Sequence, residues 1–270
     1  MSNKTKNLFD PNYADDEYER LAEYSKTRAE EITPMLEPFL SVTDQYGRLL
    51  TRVMLIVARY PPESIQDRVV RDLMADVFDF LYESRPLVMK GQCLVAFPLA
   101  RRAYESLSLL AWCVDDASAA ERWANGKKFN NSDVRKAHAA SDMGEPEEAL
   151  QKLYKFFCEQ THPNRDMIGV RWLGEGNSAV FGSIGHPSLV LLCDYAMKLL
   201  ELWFWFCPVV VYFFRRQIME TDPTFREAHN QTRDRAQEVV KWLAEQFNNV
   251  LREEQAMYRD QEDEPSQTDE

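Results

Sequence analysis

Glycine is scarce in this chain, at 9 of 270 residues. So few glycines leave little material for tight turns, which favours long helices over many short strands. The five cysteines, Cys93, Cys113, Cys158, Cys193 and Cys207, are odd in number, and no two form a Cys-x-x-Cys pair. That spacing argues against a disulfide framework and points to reduced thiols packed in apolar helices, as in a cytoplasmic protein. Basic charge is in deficit. With 32 Lys and Arg against 44 Asp and Glu the net charge is -12, and a general nucleic-acid binder needs the opposite balance. Gly-x-Gly-x-x-Gly, Gly-x-x-x-x-Gly-Lys-Ser/Thr, His-Glu-x-x-His and Gly-x-Ser-x-Gly are all missing, which sets aside the mainstream nucleotide, zincin and hydrolase signatures. The first ten residues are polar and carry no apolar signal region. The longest apolar run, Leu202 to Phe214, falls short of the ~20 residues a membrane span needs. Extending it backwards meets Glu201, Lys198 and Asp194. A buried core helix is the expected reading of that run, and a membrane-contacting helix is the other.

What is present reads as helix. Hydrophobic residues are 45% of the chain, charged residues 28% and aromatics 12%, an ordinary globular composition with bulky core side chains. The expected fold is all-α: a multi-helix bundle of long antiparallel helices, with at most one small β-hairpin near 168–182. Residues 1–12 read as a flexible leader, 13–260 as one helical domain and 261–270 as a disordered acidic tail. Helical spacing of apolar residues predicts helices over Asp15–Glu31, Pro38–Tyr60, Ser64–Arg85 and Leu94–Val114. Shorter helices are expected near Ser118–Asn125 and Ser132–Ser141, then a firm one over Glu145–Gln160. A long apolar helix opens near Ser188, and a last one runs from Asp222-Pro223 to about Arg259. Ser64 reads as an N-cap with Asp67 three residues on, and Arg85-Pro86 as a helix end.

The helix around Leu99–Trp112 carries the one polar pattern that composition does not explain. It is apolar almost all round, so it is expected to be buried, yet it holds Arg101, Arg102 and Glu105. Arg101 and Glu105 are four apart, Arg102 and Glu105 three apart, so both pairs share a face. Charges in such a place need partners. The second feature is a pair of His-Pro steps, His162-Pro163 and His186-Pro187, flanking the expected hairpin. Histidine there can act as a general base, a ligand or a nucleotide contact, or simply satisfy backbone groups at two turns. Cys158 and His162 are four apart, a spacing that zinc sites use, but no second pair completes a four-ligand set. No metal and no cofactor are expected. The candidate polar site is therefore Arg101, Arg102, Glu105, His162 and His186.

Arg-Arg-x-x-Glu in an apolar helix is followed by Trp112 and Asp115-Asp116, a polar insertion, and Tyr154-x-x-x-Cys158-x-x-x-His162-Pro163. This order, covering roughly residues 90 to 165, resembles uncharacterised bacterial all-helical proteins near the HEPN superfamily. The resemblance implies a helical bundle and a context of defence or toxin–antitoxin systems. Active members of that superfamily carry Arg followed, after four to six residues, by His. Here the nearest approaches, Arg135-Lys-Ala-His138 and Arg226-Glu-Ala-His229, have only two residues between, which puts RNA cleavage in doubt.

Two functions follow as expectations. One is a non-catalytic interaction or ligand-binding protein, a homo-oligomer or a partner of another protein, binding a small ligand or nucleotide but neither nucleic acid nor membrane. The other is a metal-independent nuclease or nucleotide-processing enzyme, in which Arg101 or Arg102, Glu105 and His162 converge, arginine holding phosphate and histidine moving protons.

Overall fold

A computed structural model of the chain describes residues 11–142, 144–161 and 189–262, with side chains for 18–142, 144–161 and 189–252. Among the described residues every regular element is a helix: α1 (Pro11–Met35), α2 (Glu37–Val57), α3 (Ile65–Met89), α4 (Cys93–Asp115), α5 (Ala117–Ala124), α6 (Asn131–Ala139), α7 (Glu147–Thr161), α8 (Leu189–Phe213), α9 (Arg215–Thr221) and α10 (Phe225–Glu262). The fold is an all-α multi-helix bundle. The expected hairpin near 168–182 lies outside the described residues.

Two helices organise the rest. α4 packs most extensively on α3 and also touches α5, α6, α7 and α8. α8 packs on α10, α4, α2 and α3. The apolar runs that define both helices thus face neighbours on several sides, and one continuous core extends from Ile32 in α1 to Leu243 in α10. Phe39, Phe97, Tyr104, Phe157, Tyr195, Trp203, Phe206 and Phe225 are all fully buried in it. α8 is long and apolar enough to cross a membrane, with a mean hydropathy of 1.5 in its most apolar stretch, and half of that stretch is buried against the other helices. All five cysteines are free. Four are buried, and Cys158 is part-exposed. Burial pushes the thiols of Cys93, Cys113 and Cys207 up to about 12, so they are unreactive hydrophobes at neutral pH.

Several expected boundaries move, each for a local reason. α1 begins at Pro11, inside the expected leader, and runs through Pro34 to Met35. α3 continues through Pro86 to Met89 rather than ending at Arg85. A proline in a last turn costs one backbone hydrogen bond, and here the extra turn buries Val88 and Met89. The real stop is Gly91, at φ 72°. Its N–H donates to the Val88 carbonyl, and the Gln92 N–H donates to the Leu87 carbonyl, the paired bonds of a left-handed helix end. After α8 the chain re-enters a short helix, α9, which the pair Arg215-Arg216 does not foreshadow and whose Ile218 is buried. α10 starts at Phe225, not at Pro223. The Asp222 carboxylate accepts from the Thr224 N–H and hydroxyl and from Arg52 of α2, so it anchors the turn before the helix.

The Ser64 cap is present. Its hydroxyl accepts the Asp67 N–H at 3.0 Å. Asp67 in turn accepts Arg71 Nε at 2.6 Å and Nη2 at 3.0 Å, as well as the Glu63 N–H at 3.0 Å. The remaining arm of Arg71 donates to the carbonyls of Val57 and Tyr60, at the end of α2. One buried carboxylate and one guanidinium therefore close the α2–α3 junction.

Candidate functional site

α4 is roughly 34 Å long at 1.5 Å per residue, and most of its surface is covered. Its polar residues lead outward in two directions. Arg101 and Glu105, one turn apart, point toward α6 and α7. Arg101 Nε donates to Glu105 Oε1 at 3.1 Å, and its Nη1 donates to the Thr161 hydroxyl, at the end of α7, at 2.9 Å. Glu105 Oε1 also accepts Asn131 Nδ2, from the start of α6, at 3.0 Å. Tyr154 of α7 forms the floor. Its ring centroid lies 5.6 Å from the Arg101 guanidinium and 4.1 Å from that of Arg135 in α6. Beneath it Tyr104 is buried, and its hydroxyl donates to the Leu150 carbonyl at 2.8 Å. Burial pushes that phenol up to about 12.

The expectation of a fully buried charged stripe is corrected here. The Arg101 and Glu105 side chains remain 24% and 20% exposed. Arg102 is 57% exposed and leaves the group, reaching Asp76 of α3 at 3.9 Å and lying over the Phe80 ring. The helical rotation between positions 101 and 102 sends the two guanidinium groups to opposite flanks of α4. Arg102 therefore pairs with α3, and Glu105 with Arg101 and α6. His162 and His186 lie outside the described residues. Of the residues that complete the cluster, Asn131 and Thr161 carry no chemical signature in sequence and Arg135 is marked only by its spacing to His138; the packing of α6 and α7 onto α4 brings all three to the group.

Between these two flanks a cleft of about 700 Å³ opens. α3 and α4 form one wall, with Asp72, Asp76, Arg102, Glu105 and Ser106. The segment between α5 and α6 forms the other, with Trp123, Lys127, Lys128 and Phe129. Gly126 makes that segment possible. At φ 80° it ends α5, its N–H donating to the Trp123 carbonyl while the Lys127 N–H donates to Arg122, and the chain turns back across the cleft. Phe129 is fixed from behind, packed 4.7 Å from Trp112, with Arg122 lying 5.3 Å from each ring. Inside the cleft the buried Ser106 hydroxyl donates to Asp76 at 2.5 Å.

The histidine of the Arg135-Lys-Ala-His138 stretch is a core residue. His138 is 1% exposed, with Nδ1 3.4 Å from the Ser108 hydroxyl and its ring edge-on to Trp205. Burial lowers its pKa to about 4. His229 is half-buried, lies against Phe225 and has a pKa lowered by burial and by Arg233. Among the described residues no group of three or more His, Cys, Asp or Glu is placed to hold a metal ion.

A scan of protein-family models, a search of curated proteins and a search of solved structures each returned no match to this chain.

The geometry sets the effect of opening the Arg101–Glu105 pair. Glu105→Gln keeps an acceptor for Asn131 but removes the charge that balances Arg101. For a half-buried pair the expected loss is about 1–2 kcal/mol, less than for a sealed one. Urea denaturation of the variant checks it. A midpoint equal to that of the wild type would mean that solvent already screens the pair completely.

Proposed function

We propose that the protein is a non-catalytic, cytoplasmic ligand-binding helical bundle, and that the cleft between α3, α4 and the α5–α6 segment takes a small polar ligand bearing groups of both signs. The observation that carries this reading is the cleft itself. Its volume of about 700 Å³ falls in the ordinary range of small-molecule sites, roughly 300–1,000 Å³. It brings two aromatic side chains together with Asp72 and Asp76 on one wall and Lys127 and Lys128 on the other. A flat apolar group fits against Trp123 and Phe129, while cationic and anionic groups meet the opposite walls. Two carboxylates of the inner wall are already held. Asp76 accepts Ser106, and Glu105 accepts Arg101 and Asn131. Carboxylates fixed as acceptors suit recognition better than proton transfer, which favours binding over catalysis. Free, buried thiols fit a reducing compartment, and the resemblance to HEPN-like proteins adds a bacterial defence context to the proposal. Homo-oligomerisation also belongs to it.

Native mass spectrometry of protein purified without denaturation tests this directly. The expected spectrum shows a bound mass of small-molecule size, lost in a Lys128→Glu and Phe129→Ala double variant that keeps its helical circular dichroism. A wild-type spectrum with bare protein only, unchanged after incubation with a metabolite extract, would overturn the reading. The same spectrum reports the oligomeric state.

A further inference from the structure

We infer that the groove between α2 and α10 is a second binding site, separate from the cleft, and that it takes an acidic amino acid, a short chain with two carboxylates and one ammonium group. The groove has a volume of about 600 Å³, within the roughly 300–1,000 Å³ of small-molecule sites. Two contacts set the register of its walls. Arg52 Nε of α2 donates to Asp222, just before α10, at 3.0 Å, and Arg235 Nη2 of α10 donates to the Ser41 hydroxyl, early in α2, at 3.4 Å. The two helices therefore run antiparallel. Leu49 and Thr232, both buried, line the groove from opposite sides and form its floor.

The charges that line this groove do not cancel among themselves. Arg52 is spent on Asp222, and Asp234 accepts Nε and Nη2 of its neighbour Arg233 at 3.1 and 2.9 Å. Arg48, Arg235 and Glu238 are left. Among the described residues Arg48 and Glu238 make no hydrogen bond or ion pair, and Arg235 has only the long contact to Ser41. All three are exposed, so a ligand reaches them without any rearrangement.

Two positive charges and one negative thus stay open in one groove, in a chain whose net charge is -12. A guanidinium without an edge partner offers the fork that matches a carboxylate with two parallel hydrogen bonds. A free carboxylate offers acceptors to an ammonium group. Two carboxylates and one ammonium carry one net negative charge, which balances the one positive charge these residues leave. The spacing suits a short chain. With Ser41 facing Arg235, Arg48 lies two helical turns along the groove, about 10 Å, and two arginine side chains reaching from opposite walls close that gap around a small diacid. Glu238 stands one turn beyond Arg235 on the same face of α10. The amino-acid end of the ligand meets Glu238 and Arg235, and its far carboxylate meets Arg48.

Isothermal titration calorimetry of the full chain with L-glutamate and L-aspartate tests this, with glutarate and L-glutamine as controls at matched ionic strength. Glutarate lacks the ammonium group and L-glutamine the second carboxylate, and each is expected to bind about tenfold more weakly than L-glutamate. Arg48→Gln should erase the preference for L-glutamate over L-glutamine, and Glu238→Gln the preference over glutarate. Both positions are exposed, so both variants should keep the helical circular dichroism of the wild type. Lys128→Glu, in the cleft, should leave the titration unchanged, so either site can fail while the other stands. No saturable binding of either acid together with no rise in Tm, equal affinity for L-glutamate and L-glutamine, or wild-type preferences in either groove variant would overturn the proposal. Loss of binding in Lys128→Glu would also overturn it, by placing the amino acid in the cleft.

Discussion

Replacing Arg71 by methionine should destabilise the fold by about 3–5 kcal/mol, the usual consequence of stranding one member of a buried ion pair. The Asp67 side chain is only 8% exposed, and its oxygens accept two arms of Arg71 and the Glu63 amide. Without Arg71 the carboxylate keeps one amide donor and loses its counter-charge. The Val57 and Tyr60 carbonyls lose their shared donor in the same step. Methionine preserves much of the aliphatic stem, so little of the loss comes from packing. Asp67→Leu combined with Arg71→Met should recover a large part of it, because no unpaired charge then remains. Urea denaturation of the two single variants and the double variant measures this coupling. If the single and double variants lose the same amount, the stability came from the α2 carbonyl contacts and not from the ion pair.

The second large effect is on the pH dependence of stability. His138 is neutral and buried, with a pKa lowered to about 4 from an ordinary 6.5. Above pH 6.5 both folded and unfolded chains carry it neutral, and it contributes no slope. Between 6.5 and 4 the unfolded chain binds a proton that the folded chain refuses, so stability falls as pH falls. Below 4 both states are protonated and the slope vanishes. The whole loss is about 3 kcal/mol, at ~1.4 kcal/mol for each unit of pKa. Asp194 and Glu201 in α8 act in the opposite direction. Burial raises both pKa values, so the folded state takes up their protons more readily as pH falls. The comparison that isolates the histidine is therefore wild type minus His138→Gln. That difference should be flat above pH 6.5 and should decline steadily from there toward pH 4. A flat difference across the whole window would place His138 in contact with water.

Much of the fold is legible in the sequence because helix formation leaves periodic marks. The spacing of Val42, Tyr46, Leu49, Leu50 and Val53 identifies the inner face of α2, and all five are buried. Leu150, Leu153 and Phe157 do the same for α7. The differences cluster at helix ends, where a proline reads as a stop. Pro86 is absorbed because burial of Val88 and Met89 outweighs one missing hydrogen bond. Arg215-Arg216 opens the short helix α9, which buries Ile218. The spacing of Ile65 with Val69, Leu73 and Val77 places it on the inner face of α3, yet it is 42% exposed, since the capped first turn holds it outside the core.

The candidate site was legible only in part. Arg101 with Glu105 is a pair that spacing alone suggests, and the structure contains it. An equally valid spacing points Arg102 at the same carboxylate, and in the structure it belongs instead to Asp76, a residue 26 positions away on another helix. Arg135 stands out in sequence only through the Arg135-Lys-Ala-His138 spacing, and its place against the Tyr154 ring comes from the packing of α6 on α7.

Composition and periodicity by themselves determined that this chain folds into long helices, that its thiols are packed side chains rather than bridges, and that α4 and α8 lie at the centre. Those properties depend on local propensity and on the total apolar surface to be buried, both of which are written along one chain. What tertiary structure alone decided is which charges are sealed. Asp67–Arg71 and Arg101–Glu105 are both pairs four residues apart with opposite signs, indistinguishable as spacing. The first is closed over by the end of α2, while the second opens toward solvent where α6 and α7 meet α4. Desolvation is a property of everything packed around a charge, and for these pairs the neighbours arrive from helices far away in sequence.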